Sequence, residues 1–155
     1  MKLYLFASDD LEHVSLGVTN EIWAVRRAED HVMKGWNTSA SKIKIGSLGV
    51  FYLHGWLTSP FTFLSKPRLD QPVPGDLWQG RYVMPFRIRP LGSPSRRMRG
   101  RKLPFARGKS LNVFKPQALA AFSPIEVGDD DWAMIVEVLA DPPKSLVHHG
   151  GKVAA

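Results

Sequence analysis

At 155 residues, 44% of them hydrophobic, the chain is long enough to bury one core without metals or disulfides. The absence of cysteine removes thiolate catalysis, cysteine-ligated zinc, iron–sulfur clusters and any disulfide scaffold. The net charge of +7 is unevenly spread, since Leu77 to Ile125 carries eleven Lys or Arg and no acid, leaving ten basic against fourteen acidic residues elsewhere. So polarised a charge points to a polyanionic partner. Nucleic acid is favoured over membrane because the arginines fall among turns and strands and not on a basic amphipathic helix.

The apolar run at the N-terminus is too short for a signal peptide, and no run approaches the roughly 20 residues of a membrane span, so a soluble, cytoplasmic protein is expected. Lys2 to Ala7 is predicted as a first strand. Ser8 offers an N-cap to a helix over Asp9 to Leu16, with acids in its first turn and Gly17 as its stop. Asn20 to Val25 brings Trp23 into a short apolar run. The spacing of Val25, Ala28, Val32 and Met33 allows a helix from Arg26 to Trp36, ended by Gly35 and the polar loop that follows.

Lys42 to Ile45 alternates, and Leu48 to His54 is a nearly continuous apolar run, as expected of a central strand covered on both faces. Gly55 to Pro60 turns the chain, and Phe61 to Leu64 starts the next strand. Pro74 and Gly75 make a turn, Trp78 follows on an irregular segment, and Tyr82 to Leu91 has the pattern of a strand with one buried face. Gly92 to Lys102 is predicted as a long basic loop that orders on contact with an anion. Pro116 to Phe122 allows a short helix, and Asp129 to Asp131 cap a last one through Ala140. There Trp132, Ile135, Val136 and Leu139 form one stripe for docking on a sheet. The expected organisation is a single domain over 1–140 with a flexible tail over 141–155. Its class is α+β, with the strands closing into a small barrel flanked by helices.

Catalytic signatures are missing from this chain. No G-x-S-x-G, H-E-x-x-H or G-x-G-x-x-G occurs, and Gly108-Lys109-Ser110 lacks the upstream glycine of a phosphate-binding loop because position 103 is Leu. The histidines, at positions 13, 31, 54, 148 and 149, are scattered, and the acidic clusters are explained by helix starts. An enzyme, a metal site and a cofactor are therefore not expected. Five Trp, eight Phe and three Tyr remain, together with a localised arginine field. That is the composition of a surface that stacks bases and neutralises phosphate. Trp132 is assigned to the core, whereas Trp23 and Trp78 each sit beside turn chemistry, outside any periodic buried run.

Ser8 to Leu16, then Ile22-Trp23-Ala24-Val25, then Pro74-Gly75-Asp76-Leu77-Trp78, then Pro85 to Leu91, resemble in order and spacing the EVE domain, a member of the PUA-like superfamily and a relative of the YTH domain. Leu103-Pro104-Phe105, Ser110-Leu111-Asn112 and the last helix continue the likeness, which runs from Lys2 to about Ala140. The resemblance implies a small curved β-barrel with helices packed outside it and a pocket for a modified base flipped out of a nucleic-acid strand. YTH domains take N6-methyladenine in RNA, and EVE domains are associated with modified cytosines in DNA, often beside nuclease domains, so a nuclease is among the implied partners.

Position by position, the resemblance makes Trp23 and Trp78 the aromatic walls, with Ala24 beside them, and places Asp9 and His13 where methyladenine readers carry Asn. A neutral His offers one donor and one acceptor and an ionised Asp only acceptors, a set that complements the cytosine edge. The first expectation is thus a non-enzymatic reader of 5-methylcytosine or 5-hydroxymethylcytosine in DNA. Arg107 and Lys109 align with a stretch that contacts backbone in relatives, and Arg96, Arg97, Arg99, Arg101 and Lys102 lie just before it. The alternatives are an RNA reader of the N6-methyladenine type and a basic protein that coats nucleic acid without a pocket.

Overall fold

The computed structural model describes residues 2–75, 77–99 and 122–141. The chain opens with β1 (Lys2–Ser8), in which Tyr4 and Phe6 enter one core while Leu3 and Leu5 enter another. A strand buried on both faces has no polar side to show, which is why this run lacks alternation. There follow α1 (Leu11–Asn20), β2 (Ile22–Arg26), α2 (Asp30–Ala40), β3 (Leu48–Leu53) and β4 (Trp56–Phe63). A short 3₁₀ turn at Leu77–Gly80 leads into β5 (Tyr82–Pro90), then β6 (Arg97–Arg99), β7 (Pro124–Glu126) and α3 (Asp129–Leu139).

The strands form one seven-stranded sheet in the order β2-β5-β4-β3-β1-β7, with β6 added to β4. β1 and β3 run parallel, and the other pairs are antiparallel. Register breaks between Trp23 and Val25 and between Gly49 and Phe51, with left-handed backbone at Ser59 and Met84, bend the strands and curl the sheet into a half-barrel. The result is the α+β fold with outer helices that the sequence predicts.

Two cores lie on the two faces. Phe51, Phe61, Phe63 and Phe86 fill the inner one beneath α1 and α2, with Phe63 and Phe86 stacked at 4.7 Å. Each such ring contributes about 1.5–3 kcal/mol on burial. On the outer face Ile135 and Leu139 of α3 pack on Leu3, Leu5, Val50, Leu57 and Met98, while Trp132 stays half-buried at the edge.

Several elements differ from expectation for identifiable reasons. Asp10, not Ser8, caps α1, its Oδ1 accepting from the amides of Glu12 at 2.9 Å and His13 at 3.2 Å. Helix α1 continues through Gly17 and stops at Glu21, which takes the left-handed conformation. Helix α2 likewise passes Gly35, because burial of Met33 and Ala40 outweighs the roughly 1 kcal/mol that a helical glycine costs. Lys42 to Ile45 is not a strand, since the amides of Lys42 and Ile43 turn back onto Ser39 and Ala40. β4 begins at Trp56, five residues before expectation, because His54 and Gly55 both adopt positive φ and close a two-residue hairpin. Within the predicted basic loop, buried Met98 between two arginines restores strand alternation, and the Thr58 hydroxyl donates to the Arg96 carbonyl at 2.7 Å. The predicted helix at Pro116 to Phe122, apart from Phe122 itself, and the predicted tail beyond Asp141 lie outside the described residues.

Candidate nucleic-acid interface

β7 pairs with β1 only over Lys2, Leu3 and Tyr4, so from Leu5 onward no described strand covers that side of β1. β2 pairs with β5 alone among the described strands. The chain leaves β1, makes α1 and returns as β2. The two strands thereby face each other across a seam, with no ladder between them among the described residues. A cavity of about 590 Å³ opens there, within the roughly 300–1,000 Å³ usual for small-ligand sites.

Its aromatic lining comes from five separate elements: Phe6 of β1, Trp23 of β2, Trp36 of α2, Tyr52 of β3 and Tyr82 of β5. Trp36 and Tyr52 are half-buried, so they present ring surface to whatever enters. Polar groups stand at one end, where Ser8, Asp9, Arg26 and His54 also line the space. Asp9 Oδ1 lies 3.3 Å from an Arg26 Nη2, and its carbonyl lies 3.1 Å from His54 Nε2.

Trp23 is only 2% exposed and is fixed by edge-to-face contacts with Phe51 at 4.7 Å and Trp78 at 5.2 Å. A Cβ on Gly17 would stand 2.8 Å from the Trp23 ring, so that glycine is what lets α1 lie against the indole. Trp78 is 3% exposed, stacks on Tyr82 at 4.7 Å and donates its Nε1 hydrogen to the His13 carbonyl at 3.1 Å. The two indoles meet at 76°. A base sandwiched between rings needs near-parallel faces about 7 Å apart, twice the contact distance, so in this arrangement no base fits between this pair.

Of the five predicted pocket residues, the structure therefore brings Trp23, Asp9 and Ala24 to the cavity and places Trp78 and His13 in a layer behind it. His13 Nδ1 lies 2.8 Å from the Tyr82 hydroxyl, and its Nε2 lies 3.3 Å from Asp10 Oδ2. Burial raises the Tyr82 phenol pKa, and the neighbouring Tyr82 hydroxyl raises that of Arg26, which remains a cation. The backbone amide of His13 holds the Asp10 carboxyl below its usual range.

Sequence reasoning missed Trp36, Tyr52 and Tyr82. Trp36 falls at the end of a helix that Gly35 is expected to stop, while Tyr52 and Tyr82 sit in apolar runs that look like plain core. Among the predicted backbone contacts, Arg96 donates to the carbonyl of Ala140, Arg97 is exposed, and Arg99 lies over the Trp56 ring at 3.9 Å. Arg101, Lys102, Arg107 and Lys109 lie outside the described residues. Among the described residues no three metal-ligating side chains cluster, and no helix is long and apolar enough to cross a membrane.

No protein-family model matches the chain, and no curated protein matches its sequence. Solved structures do match in shape. The YTH domain of the Zygosaccharomyces rouxii MRB1 protein, in complex with N6-methyladenosine RNA, is 19% identical with a TM-score of 0.59, the match covering 90% of this chain and 89% of that one. The Pho92 YTH domain in complex with m6A is 17% identical with a TM-score of 0.58, covering 92% and 85%. The Toxoplasma CPSF4 YTH domain, in apo form, is 11% identical with a TM-score of 0.60, covering 94% and 90%. At these identities the likeness is one of fold, and the fold is YTH-like.

Proposed function

We propose that this chain is a non-enzymatic reader that takes a modified base, flipped out of a nucleic-acid strand, into the seam between β1 and β2. The observation that carries the reading is the cavity itself, walled by five aromatic rings from five elements and open where the sheet has no described ladder. Base stacking on aromatic rings is worth about 1–3 kcal/mol, which offsets the few kcal/mol that unstacking a base costs. On this reading the domain spans 1–140 with the rest as a tail, and the EVE-like motifs support kinship with the EVE domains.

N6-methyladenosine in RNA is the first candidate ligand. Two of the similar solved structures are complexes with that modification. The cytosine expectation rests on His13 and Asp9 together; the His13 ring turns onto Tyr82, so of that pair only Asp9 lines the cavity, beside Ser8, Arg26 and His54. An acceptor-only carboxylate suits the amino hydrogen of either N6-methyladenine or cytosine, so the lining that takes up the methyl group decides. Burying one methyl among rings is worth about 0.8 kcal/mol, roughly a four-fold preference.

A panel of otherwise identical oligonucleotides tests this, carrying N6-methyladenine, 5-methylcytosine, 5-hydroxymethylcytosine or the plain base, each as RNA and as DNA. The N6-methyladenosine RNA is expected to bind most tightly, by a ratio that survives added salt, because counterion release weakens only the phosphate contribution. A win for modified cytosine in DNA would keep the pocket and change its ligand. A flat panel would leave a coat protein.

A further inference from the structure

We propose that Trp56 and Arg99 together form a phosphate clamp for the nucleotide next to the one in the cavity. The inference rests on the reader function and adds a site to it. Trp56 opens β4 directly after the His54-Gly55 turn, and Arg99 closes β6, where the two are cross-strand partners. Between them the neighbouring pair, Leu57 and Met98, points into the outer core and pins the register. Trp56 and Arg99 are therefore held on the opposite face, with the guanidinium carbon 3.9 Å from the indole centroid.

That stacking fixes the guanidinium plane while leaving its N–H edge unspent. Among the described residues the Arg99 side chain makes no hydrogen bond and no ion pair, unlike that of Arg96, which is bound to the Ala140 carbonyl. A guanidinium whose orientation is already set loses less freedom on binding an anion, and its fork of donors matches two phosphate oxygens. The clamp also lies beside the cavity. Gly55 lines that space, and a Cβ there would stand 3.5 Å from Arg99 Nη1. A strand whose base enters the seam must carry its flanking phosphodiester past this hairpin. The ligand class is accordingly a single-stranded phosphodiester adjoining a flipped base.

The test compares wild type, Arg99→Gln, Arg97→Gln and Trp56→Leu, each checked for folding by circular dichroism. The probes are a short single-stranded RNA containing N6-methyladenosine, its unmodified twin, and the free N6-methyladenosine nucleoside. Arg99→Gln is expected to weaken both strands about ten-fold, as for a lost charge-assisted contact, and to flatten the slope of log K against log salt by about 0.7. It should leave the modified-to-plain ratio and nucleoside binding unchanged, because neither involves the phosphate. Arg97→Gln should cost clearly less. Trp56→Leu should weaken both strands about three-fold, with no further loss when added to Arg99→Gln, since the indole acts only through the arginine. If wild type prefers the modified strand but Arg99→Gln behaves like wild type or like Arg97→Gln, the clamp is overturned and the reader stands. If wild type prefers neither this strand nor strands carrying modified cytosine, both are overturned.

Discussion

The Tyr82 hydroxyl lies 2.8 Å from Nδ1 of His13, a contact across 69 residues that joins the wall of the cavity to the first turn of α1. Because Arg26 approaches the same hydroxyl from β2, one phenol ties together helix, strand and rim. Tyr82→Phe keeps the ring stacked on Trp78 but leaves His13, only 14% exposed, without this partner. A stability loss of about 1 kcal/mol is expected, at the low end for an unmade bond because the site is partly solvated. The denaturant midpoint at unchanged m-value measures it, and an unshifted midpoint would show that the contact is not made in solution.

Two glycines in two helices should respond oppositely to the same change. In α1, the Cβ of Gly17→Ala would meet the Ile22 carbonyl at 2.7 Å and the Trp23 ring at 2.8 Å. Overpacking of this kind costs about 1–3 kcal/mol, which exceeds the roughly 1 kcal/mol gained in helix propensity. Net destabilisation and a displaced Trp23 are expected. In α2, Gly35→Ala meets nothing within 4 Å, so about 0.5–1 kcal/mol of stabilisation should appear undiluted. Thermal melts of the two variants side by side decide the matter.

The tryptophans should separate by burial. Trp23→Ala and Trp78→Ala each empty a site that is at most 3% exposed, and a loss of about 3–5 kcal/mol of stability is expected for either. Trp36 is half-buried at the cavity, so Trp36→Ala should leave the fold intact. It should still lower affinity for the modified strand by about 1–3 kcal/mol, the worth of one stacking surface. Trp36→Ala binding as wild type would remove α2 from the site.

Acid should weaken the start of α1. The Asp10 carboxylate accepts the amides of His13 and Glu12, and its pKa is lowered, first by the His13 amide and further by the charges of His13 and Arg26 facing it. A depressed folded value means that the unfolded chain takes up the proton more readily. The stabilisation is therefore complete above the unfolded value of about 4 and is lost as pH falls through the folded one. Asp10→Asn caps nearly as well but does not titrate. Its melting temperature should lie below wild type at neutral pH, because the amide lacks the charge that faces His13 and Arg26, and the gap should narrow below about pH 4. Parallel acid limbs would mean that the cap contributes nothing to the acid response.

By itself the sequence determined what nearest neighbours and period decide. The apolar run of β1, the stripe of Ile135 and Leu139 on α3, the strand at Tyr82 and the cationic half of the chain are all legible there, because each is set by residues a few positions apart. Trp23 and Asp9, which short motifs single out, both line the cavity. The tertiary structure alone decided that, among the described residues, no ladder joins β1 to β2 and that a cavity opens between them. It decided too that Gly17 spaces a helix from two indoles instead of ending it, and that Trp36 and Tyr52 come to one space from opposite sides. Such roles depend on which atoms lie within 4 Å after folding, and no periodicity along the chain encodes that distance.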